Sequence, residues 1–198
     1  MKVAVIDYGA GNLSSVEKAL RHVGFDTRRA STPGGLDGAE AIVLPGVGHF
    51  KAIATLAPWR SVLLAHVRAG RPLLGICLGL QWLFEGSDEA PGVPGLGMLP
   101  GRCFRLGGGV KVPHVGWNTI EPTRESPLLQ GVGRVQVYFT HSFAAPVTEA
   151  CVAVTTYGVP FASVVERGQV FATQWHPEKS GEAGLRVLRN FREAMRSC

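Results

Sequence analysis

The sequence predicts an α/β fold, with an open, mostly parallel sheet, flanking helices and an antiparallel β extension. Three observations predict it. In the first half of the chain, short apolar runs alternate with segments of helical periodicity. Those runs are apolar at successive positions, as expected of strands that helices cover on both faces. After residue 91, turn-rich stretches separate shorter segments that favour antiparallel strands.

Turn and cap residues place the predicted elements of the first half. The first element is a strand over residues 2–8, which stops at Gly9. Ser14 and Glu17 have the spacing of a capping box and predict a helix that begins there and ends at Gly24. The remaining elements of this half are strands over residues 25–29, 41–44 and 72–76 and a helix over residues 59–69.

The second half is predicted to contain shorter strands and one last helix. The strands cover residues 135–140, 152–156, 161–165 and 170–174. A basic stripe and an apolar stripe lie side by side at helical spacing, which indicates an amphipathic helix with a solvated basic face. The basic residues are Arg186, Arg189, Arg192 and Arg196, and the apolar ones are Leu185, Leu188, Phe191 and Met195. Without internal repeats, we expect a single domain over residues 1–198.

Composition and charge narrow the classes of function. Hydrophobic residues make up 45% of the chain and charged residues 18%, which is a globular balance. The net charge of +5 comes from scattered basic residues, so we expect no nucleic-acid partner. No apolar run reaches the ~18 residues that a membrane span needs, and the first apolar stretch is too short for a secretion signal. We therefore expect a cytoplasmic protein without a membrane partner.

The cysteines and glycines predict neither a metal nor a cofactor. No Cys-x-x-Cys pair occurs, so neither a disulfide framework nor a zinc site is expected. The four cysteines are Cys77, Cys103, Cys151 and Cys198. Residues 9–14 half-resemble a dinucleotide-binding loop, but Ser14 replaces the third glycine. We expect no nicotinamide or flavin.

The stretch LLGICLGLQ, residues 73–81, places Cys77 between two glycines where a strand gives way to a helix. This is the Gly-x-nucleophile-x-Gly pattern of a strand-to-helix elbow. Glycines at both sides allow the close packing that a strained tip residue needs, and the N–H of Leu78 would face an oxyanion formed there. A buried thiol in a tight turn explains the same residues, so the motif alone leaves both interpretations open.

A thiol nucleophile needs a base, and TQWHPE, residues 173–178, offers one. Pro177 favours an extended conformation for His176, which would place His176 and Glu178 on one face. A carboxylate that orients an imidazole, which in turn activates a thiol, is a known arrangement for nucleophilic catalysis. Taken alone, the segment is better explained as a surface turn after a strand, and its occurrence together with the Cys77 elbow is what favours catalysis.

The loop LPGVGHF, residues 44–50, follows a predicted strand and should emerge at the same edge of the sheet as Cys77. Its two glycines, Gly46 and Gly48, would let backbone N–H groups turn toward a ligand as part of an oxyanion hole. A phosphate-binding loop is disfavoured because no Gly-Lys-Ser/Thr follows.

Together these motifs resemble the class I glutamine amidotransferases, a family with a Cys-His-Glu triad and a flavodoxin-like fold. The resemblance implies that Cys77, His176 and Glu178 hydrolyse glutamine to glutamate and ammonia through a thioester. The implied oxyanion hole consists of N–H groups of Val47, Gly48 and Leu78. The implied substrate-binding residues are Gly46, Gln81, His141, Ser142 and Phe143.

Four stretches narrow the resemblance to the glutaminase subunits of imidazole glycerol phosphate synthases, which belong to histidine biosynthesis. The stretches are residues 6–13, 44–50, 111–118 and 176–180. The resemblance implies that ammonia passes to a (β/α)₈-barrel synthase (cyclase) subunit in a heterodimer. It also implies that Asn12, Trp117 and Lys179 contact that partner, although a helix-start residue, a core aromatic and a solvated lysine would look the same.

Other functions stay open at this point. A glutaminase that supplies anthranilate, guanylate or pyridoxal phosphate synthesis would share the triad. A binding module could keep the fold without the chemistry, and a cysteine protease or general hydrolase could use the same nucleophile. The presence of all three triad residues is the feature against the binding module.

Overall fold

The computed structural model describes residues 1–194, so Met195, Arg196 and Cys198 lie outside the described residues. The first half comprises β1 (Lys2–Ile6), α1 (Leu13–His22), β2 (Asp26–Ala30), β3 (Ala41–Gly46), α2 (Arg60–Arg68), β4 (Leu73–Cys77), α3 (Leu78–Leu83) and β5 (Gly86–Ser87). The second half comprises β6 (Arg102–Arg105), β7 (His114–Pro122), β8 (Val135–His141), β9 (Phe143–Ala144), β10 (Cys151–Tyr157), β11 (Val159–Arg167), β12 (Val170–Thr173) and α4 (Gly181–Ala194). The 3₁₀ segments are Pro33–Leu36, Phe50–Trp59, Pro127–Leu129 and Pro177–Lys179.

A nine-stranded sheet organises the described residues, in the order β2-β1-β3-β4-β12-β11-β10-β7-β8. The strands from β2 to β12 in that order run parallel. From β12 onward the neighbours are antiparallel, which gives the predicted extension. A three-stranded sheet, β5-β6-β9, lies apart from it. The α/β class with its parallel sheet and antiparallel extension is therefore confirmed.

Each face of the large sheet has its own hydrophobic core. On one face, side chains of α1 and α4 pack on alternate residues of the central strands, with Leu20 and Phe191 among the fully buried ones. On the other face, α2, α3 and the segment Phe50–Trp59 cover the intervening residues, such as Ile42 and Leu44. Helices on both faces explain why β3 and β4 are buried along their whole lengths. Among the described residues, no helix combines the length and apolar character needed to cross a bilayer.

The predicted capping box at Ser14 and Glu17 is wrong. The cap of α1 is Asn12, whose side chain accepts a hydrogen bond from the Ser15 N–H at 3.4 Å. Glu17 is buried and its carboxylate pairs instead with Arg29, with a distance of 2.9 Å between Oε1 and Nε. That pairing lowers the pKa of Glu17, first through the hydrogen bond itself. Asn12 and Ser14 are both favourable cap residues, so the sequence fits a helix that starts after either one. The ion pair of Glu17 with Arg29 removes Glu17 from the capping box and leaves Asn12 as the cap.

Several elements are absent from the prediction, among them the strands β5, β6, β7 and β9 and the longest 3₁₀ segment. The segment Phe50–Trp59 buries Phe50, Ile53, Leu56 and Trp59, which recur every third residue. That spacing is the 3₁₀ period, so a search at the α-helical period does not find it. Strand β7 alternates in burial, but its exposed face carries the apolar Val115 and Trp117 and its inner face carries His114, so its hydrophobicity does not mark a half-buried strand.

The basic stripe of α4 is solvated or paired within the chain. Arg186 is exposed, and Arg189 pairs with Glu182 at 2.5 Å. The Arg192 guanidinium donates to the Val23 carbonyl at 3.2 Å. Of the predicted apolar stripe, Leu188 and Phe191 are buried and Leu185 is half-buried, so the amphipathic interpretation is confirmed for the described part of the helix.

Helix α3 follows β4 without an intervening loop and packs directly on the end of β3. A Cβ on Gly79 would lie 1.9 Å from the Leu44 carbonyl oxygen, and one on Gly75 would lie 2.9 Å from the Gly79 carbonyl oxygen. Neither glycine has a positive φ. Glycine is needed at both positions because main-chain atoms of α3 are in contact with β3 and β4 there. A side chain at either position would push the helix away from the strands.

We predict that Gly79→Ala destabilises the protein by about 3 kcal/mol or more, because the added methyl group would overlap a main-chain oxygen that cannot rotate away. The measurement is the free energy of unfolding from denaturant titration. The matched control is Gly34→Ala, where a Cβ would meet nothing within 4 Å. Equal stabilities of the two variants would contradict the packing argument.

Candidate active site

The carboxyl ends of three adjacent parallel strands, β3, β4 and β12, bring the predicted site residues together. Gly46 pairs with Cys77 in the ladder of β3 and β4, and Thr173 pairs with Ile76 in that of β12 and β4. The loop after β3, the elbow after β4 and the turn after β12 therefore meet at one edge. This is the edge where open α/β sheets place their ligands.

Cys77 has φ 54° and ψ −105°, and it is the one non-glycine residue among residues 1–194 with a positive φ. An L-residue pays about 1–3 kcal/mol for such a conformation, so the surrounding packing must enforce it. The thiol is 4% exposed, at the bottom of a pocket. The predicted elbow is thus present, and its strain lies at the sulfur-bearing residue.

His176 and Glu178 lie behind the thiol and are held together. The His176 Nδ1 is 2.8 Å from the Glu178 Oε1, and both side chains are 2% exposed. The expected extended geometry is only half correct. His176 is extended, but Pro177–Lys179 is a 3₁₀ segment, and that turn brings the carboxylate back to the ring.

His176 is strongly basic because of its neighbours and in spite of its burial. Burial opposes its protonation, but the Cys77 sulfur and then the Glu178 carboxylate outweigh that effect and raise the pKa of His176 to about 10. Among the described residues, the Nε2 atom has no hydrogen-bond partner. With Nδ1 committed to Glu178, Nε2 is the atom left to exchange a proton with the thiol or a leaving group.

A pocket of about 270 Å³ opens above the sulfur. Its lining includes seven of the predicted site residues, namely Gly48, Cys77, Leu78, Gln81, His141, Ser142 and Phe143. Four further residues line it that the sequence did not single out, namely His49, Glu89, Pro113 and Thr140. Glu89 contributes the carboxylate of this lining. In the sequence Glu89 is one of many acidic residues and belongs to no motif, so no sequence signal identifies it as a site residue.

The loop after β3 uses its two glycines for different purposes. A Cβ on Gly46 would lie 2.5 Å from the Tyr8 Oη and 2.8 Å from the Leu78 Cβ, so this glycine permits close packing beneath the pocket rather than lining it. Gly48 has φ 96°, which favours glycine at that position. Val47, between them, is half-buried. The loop then ends where the Phe50 N–H donates to the Glu89 carboxylate at 2.7 Å.

A chain of side-chain amides links the pocket wall to the sulfur. The Gln81 Nε2 donates to the Phe143 carbonyl at 2.7 Å and to the Gln174 Oε1 at 3.3 Å. The Gln174 Nε2 lies 3.6 Å from the Cys77 Sγ. Gln174 is not among the predicted site residues, although it lies two residues before His176 in the segment TQWHPE.

The side chain of His141 is engaged within the protein. Its Nδ1 is 2.9 Å from the Phe143 carbonyl, and its Nε2 is 3.1 Å from the Nδ1 of His114. Burial lowers the pKa of His141 to about 3 and that of His114 to about 4, so both rings are neutral at pH 7. Any contact of this segment with a ligand must therefore use its backbone or Ser142. His114 was not predicted as a site residue.

The three residues expected at a partner surface have different surroundings. Trp117 is 56% exposed on β7, and its ring meets that of Tyr138 on β8 at 6.2 Å between centroids. The Lys179 Nζ lies 5.5 Å from the centroid of the Tyr138 ring. Asn12 is exposed at the start of α1. Tyr138 joins Trp117 to Lys179 and was not predicted.

This exposed aromatic group is connected to His176 through the backbone. The Tyr138 carbonyl accepts the His176 N–H at 3.0 Å. The Ser180 hydroxyl donates to the His176 carbonyl at 2.7 Å and accepts the Tyr138 N–H at 3.0 Å. A displacement of Tyr138 would therefore reach the base directly. Among residues 1–194, no group of three or more His, Cys, Asp or Glu side chains has a metal-binding arrangement.

The chain is similar to known proteins over nearly its whole length. The family model for class-I glutamine amidotransferases matches residues 4–195. The imidazole glycerol phosphate synthase subunit HisH of Methanothermobacter thermautotrophicus is 50% identical over 98% of this chain and 100% of its own. The HisH subunit of Thermococcus kodakarensis is 50% identical over 96% and 98%. The solved PurLQS structure from Thermotoga maritima shares the fold, with a TM-score of 0.78 and 20% identity over 98% of each chain.

We predict that His176 stabilises the folded protein in a pH-dependent way. Because its pKa rises from 6.5 to about 10 on folding, the stabilisation is complete below pH 6.5 and is lost as the pH rises toward 10. The difference in free energy of unfolding between the wild type and His176→Gln should therefore shrink over that range.

The matched control for this titration is His66→Gln. Burial lowers the pKa of His66, so its contribution is present above pH 6.5 and is lost as the pH falls. If the difference in free energy of unfolding between the wild type and His176→Gln stays constant from pH 6.5 to 10, the raised pKa assigned to His176 is contradicted.

Proposed function

The chain belongs to the class-I glutamine amidotransferases, and we propose that it is the glutaminase subunit of an imidazole glycerol phosphate synthase in histidine biosynthesis. It hydrolyses glutamine to glutamate and ammonia and supplies the ammonia to a synthase subunit. The observation that carries this proposal is a strained thiol with a buried imidazole–carboxylate pair behind it and a small polar pocket in front of it.

The first half of the proposed reaction forms a thioester. The Cys77 thiolate attacks the side-chain amide carbon of glutamine, and the carbonyl oxygen becomes an oxyanion. The N–H groups of Leu78 and of Val47 and Gly48 would stabilise it. His176, protonated through its raised pKa, gives its Nε2 proton to the amide nitrogen, which leaves as ammonia.

The second half returns the site to its starting state. The now neutral His176 takes a proton from water, which attacks the thioester carbon and displaces the Cys77 thiolate as glutamate forms. Glu178 holds the ring orientation and supports its positive charge throughout. These steps use only side chains and backbone groups of this chain.

Recognition of glutamine is assigned to the pocket wall. Gln81 and the backbone of Ser142 and Phe143 lie beside the sulfur and would hold the polar groups of the substrate. The Glu89 carboxylate provides the negative charge that an α-ammonium group requires. Because Glu89 also accepts the Phe50 N–H, substrate recognition would be connected to the end of the loop that carries Val47 and Gly48.

The partner in this proposal is a (β/α)₈-barrel synthase (cyclase) subunit that forms a heterodimer with the chain. Asn12, Trp117 and Lys179 are assigned to the interface, and Tyr138 is added to them. An exposed tryptophan next to a tyrosine and a lysine is the composition that interface centres favour. The cytoplasmic location and the single domain over residues 1–198 stay predictions.

The test of the proposed function is glutamate release from glutamine, measured with and without the barrel subunit and its ribonucleotide. We expect strong stimulation by both together, and loss of activity in Cys77→Ala because the nucleophile is missing. High activity of the isolated chain without stimulation would assign it to a different glutaminase. Absence of activity under all conditions, from a folded chain, would contradict the proposal and favour a binding module.

We predict that Lys179→Ala weakens the coupling to the synthase subunit, because Lys179 belongs to the turn that follows His176 and its ammonium group lies over the Tyr138 ring. The expected loss is about tenfold in complex affinity or in stimulated rate, the size of a partly desolvated cation–π contact. The matched control is Lys2→Ala, at the opposite end of the parallel strands. Unchanged affinity and stimulation in Lys179→Ala would remove this residue from the interface.

A further inference from the structure

Gln174 has no role in the reaction proposed above, yet its side chain reaches the reacting sulfur. It follows β12, is 0% exposed, and places its Nε2 at 3.6 Å from the Cys77 Sγ. Its backbone N–H donates to the Ser163 carbonyl at 3.0 Å, which fixes the main chain at this position. The ladder of β12 and β4 ends one residue earlier, at Thr173 and Ile76, so residue 174 lies beside residue 77.

The orientation of the Gln174 amide follows from its second contact. Its Oε1 accepts a hydrogen bond from the Gln81 Nε2 at 3.3 Å. The reverse orientation would place two NH₂ groups against each other and a carbonyl oxygen against the sulfur. Gln81 is itself fixed, since its other N–H donates to the Phe143 carbonyl at 2.7 Å. The amide network therefore directs an N–H, and not an oxygen, at the sulfur.

Besides the Gln174 amide and the neighbouring His176, the sulfur has one hydrogen-bond partner among the described residues. The thiol can donate to the Thr140 carbonyl, at a long 3.9 Å. A carbonyl oxygen favours the protonated thiol and gives nothing to a thiolate. The Gln174 N–H does the opposite, because a donor favours the charged form of its acceptor.

We propose that Gln174 is a catalytic hydrogen-bond donor to Cys77. Its side-chain N–H holds the Cys77 thiolate in place before attack and binds it again when the thioester breaks. The inference rests on the proposed glutaminase function and deepens it. The N–H groups of Leu78 and of the loop after β3 then stabilise the oxyanion, and the Gln174 N–H stabilises the sulfur. The donor forms no bond and gives up no proton, so the chemical balance of both half-reactions is unchanged.

The test is the pH dependence of Cys77 alkylation by iodoacetamide, followed on the Cys77 peptide by mass spectrometry. This readout reports the thiolate directly and needs no glutamine turnover. Gln174→Met removes the donor at similar size, and Gln174→Glu keeps the shape but places an acceptor against the sulfur. Thr173→Val is the matched control, since it removes a buried hydroxyl from the adjacent residue, and that hydroxyl donates to the Trp175 carbonyl at 2.8 Å.

We expect the midpoint of the alkylation profile to rise by about one pH unit in Gln174→Met, which is about tenfold less thiolate at a fixed lower pH. The rise should be larger in Gln174→Glu and absent in Thr173→Val. In glutamine hydrolysis, kcat should fall with little change in KM. Wild-type midpoints in both folded Gln174 variants would overturn the inference. Absence of glutamine hydrolysis by the folded wild type together with the synthase subunit would instead overturn the proposed function, which keeps the two failures distinct.

Discussion

At Cys77 the chain leaves a fully buried strand and enters a helix within a single residue, and its backbone must take a positive φ to do so. Three glycines make this possible without having unusual conformations themselves. Gly46, Gly75 and Gly79 let β3, β4 and α3 approach until main-chain atoms are in contact. The strain at Cys77 is thus maintained by packing on both sides, and it points the sulfur into the pocket rather than into the core.

The charges at this site are tolerated because each has a partner at short range. His176 is buried, yet the Cys77 sulfur and the Glu178 carboxylate keep it basic. The sulfur in turn lies next to the Gln174 amide and the start of α3. The same His176 is bonded through its backbone to Tyr138 and Ser180, next to the exposed Trp117 and Lys179. Chemistry and the proposed partner surface therefore lie on opposite sides of one short turn.

The sequence predicted the fold class and placed Cys77 and the loop over residues 44–50 at one sheet edge, because the alternation of elements and the motifs at their ends are local signals. The family resemblance added His176 and Glu178 to this site. It did not predict the Asn12 cap, because the ion pair of Glu17 with Arg29 is tertiary. Nor did it identify Glu89, Gln174 or Tyr138, whose importance comes from residues more than 20 positions away in the chain. The substrate contact expected of Gly46 stays a prediction, and the structure adds a packing reason for this glycine, because its neighbours leave no room for a Cβ.

The most direct measurement is detection of the glutamyl thioester itself. The complex with the synthase subunit would be quenched in acid during glutamine turnover, and the cysteine-containing peptides analysed by mass spectrometry. We predict a glutamyl adduct on Cys77 of the wild type that accumulates within the first turnover and disappears when glutamine is exhausted. Continued ammonia release with Cys77 unmodified at every quench time would contradict the assignment of Cys77 as the nucleophile.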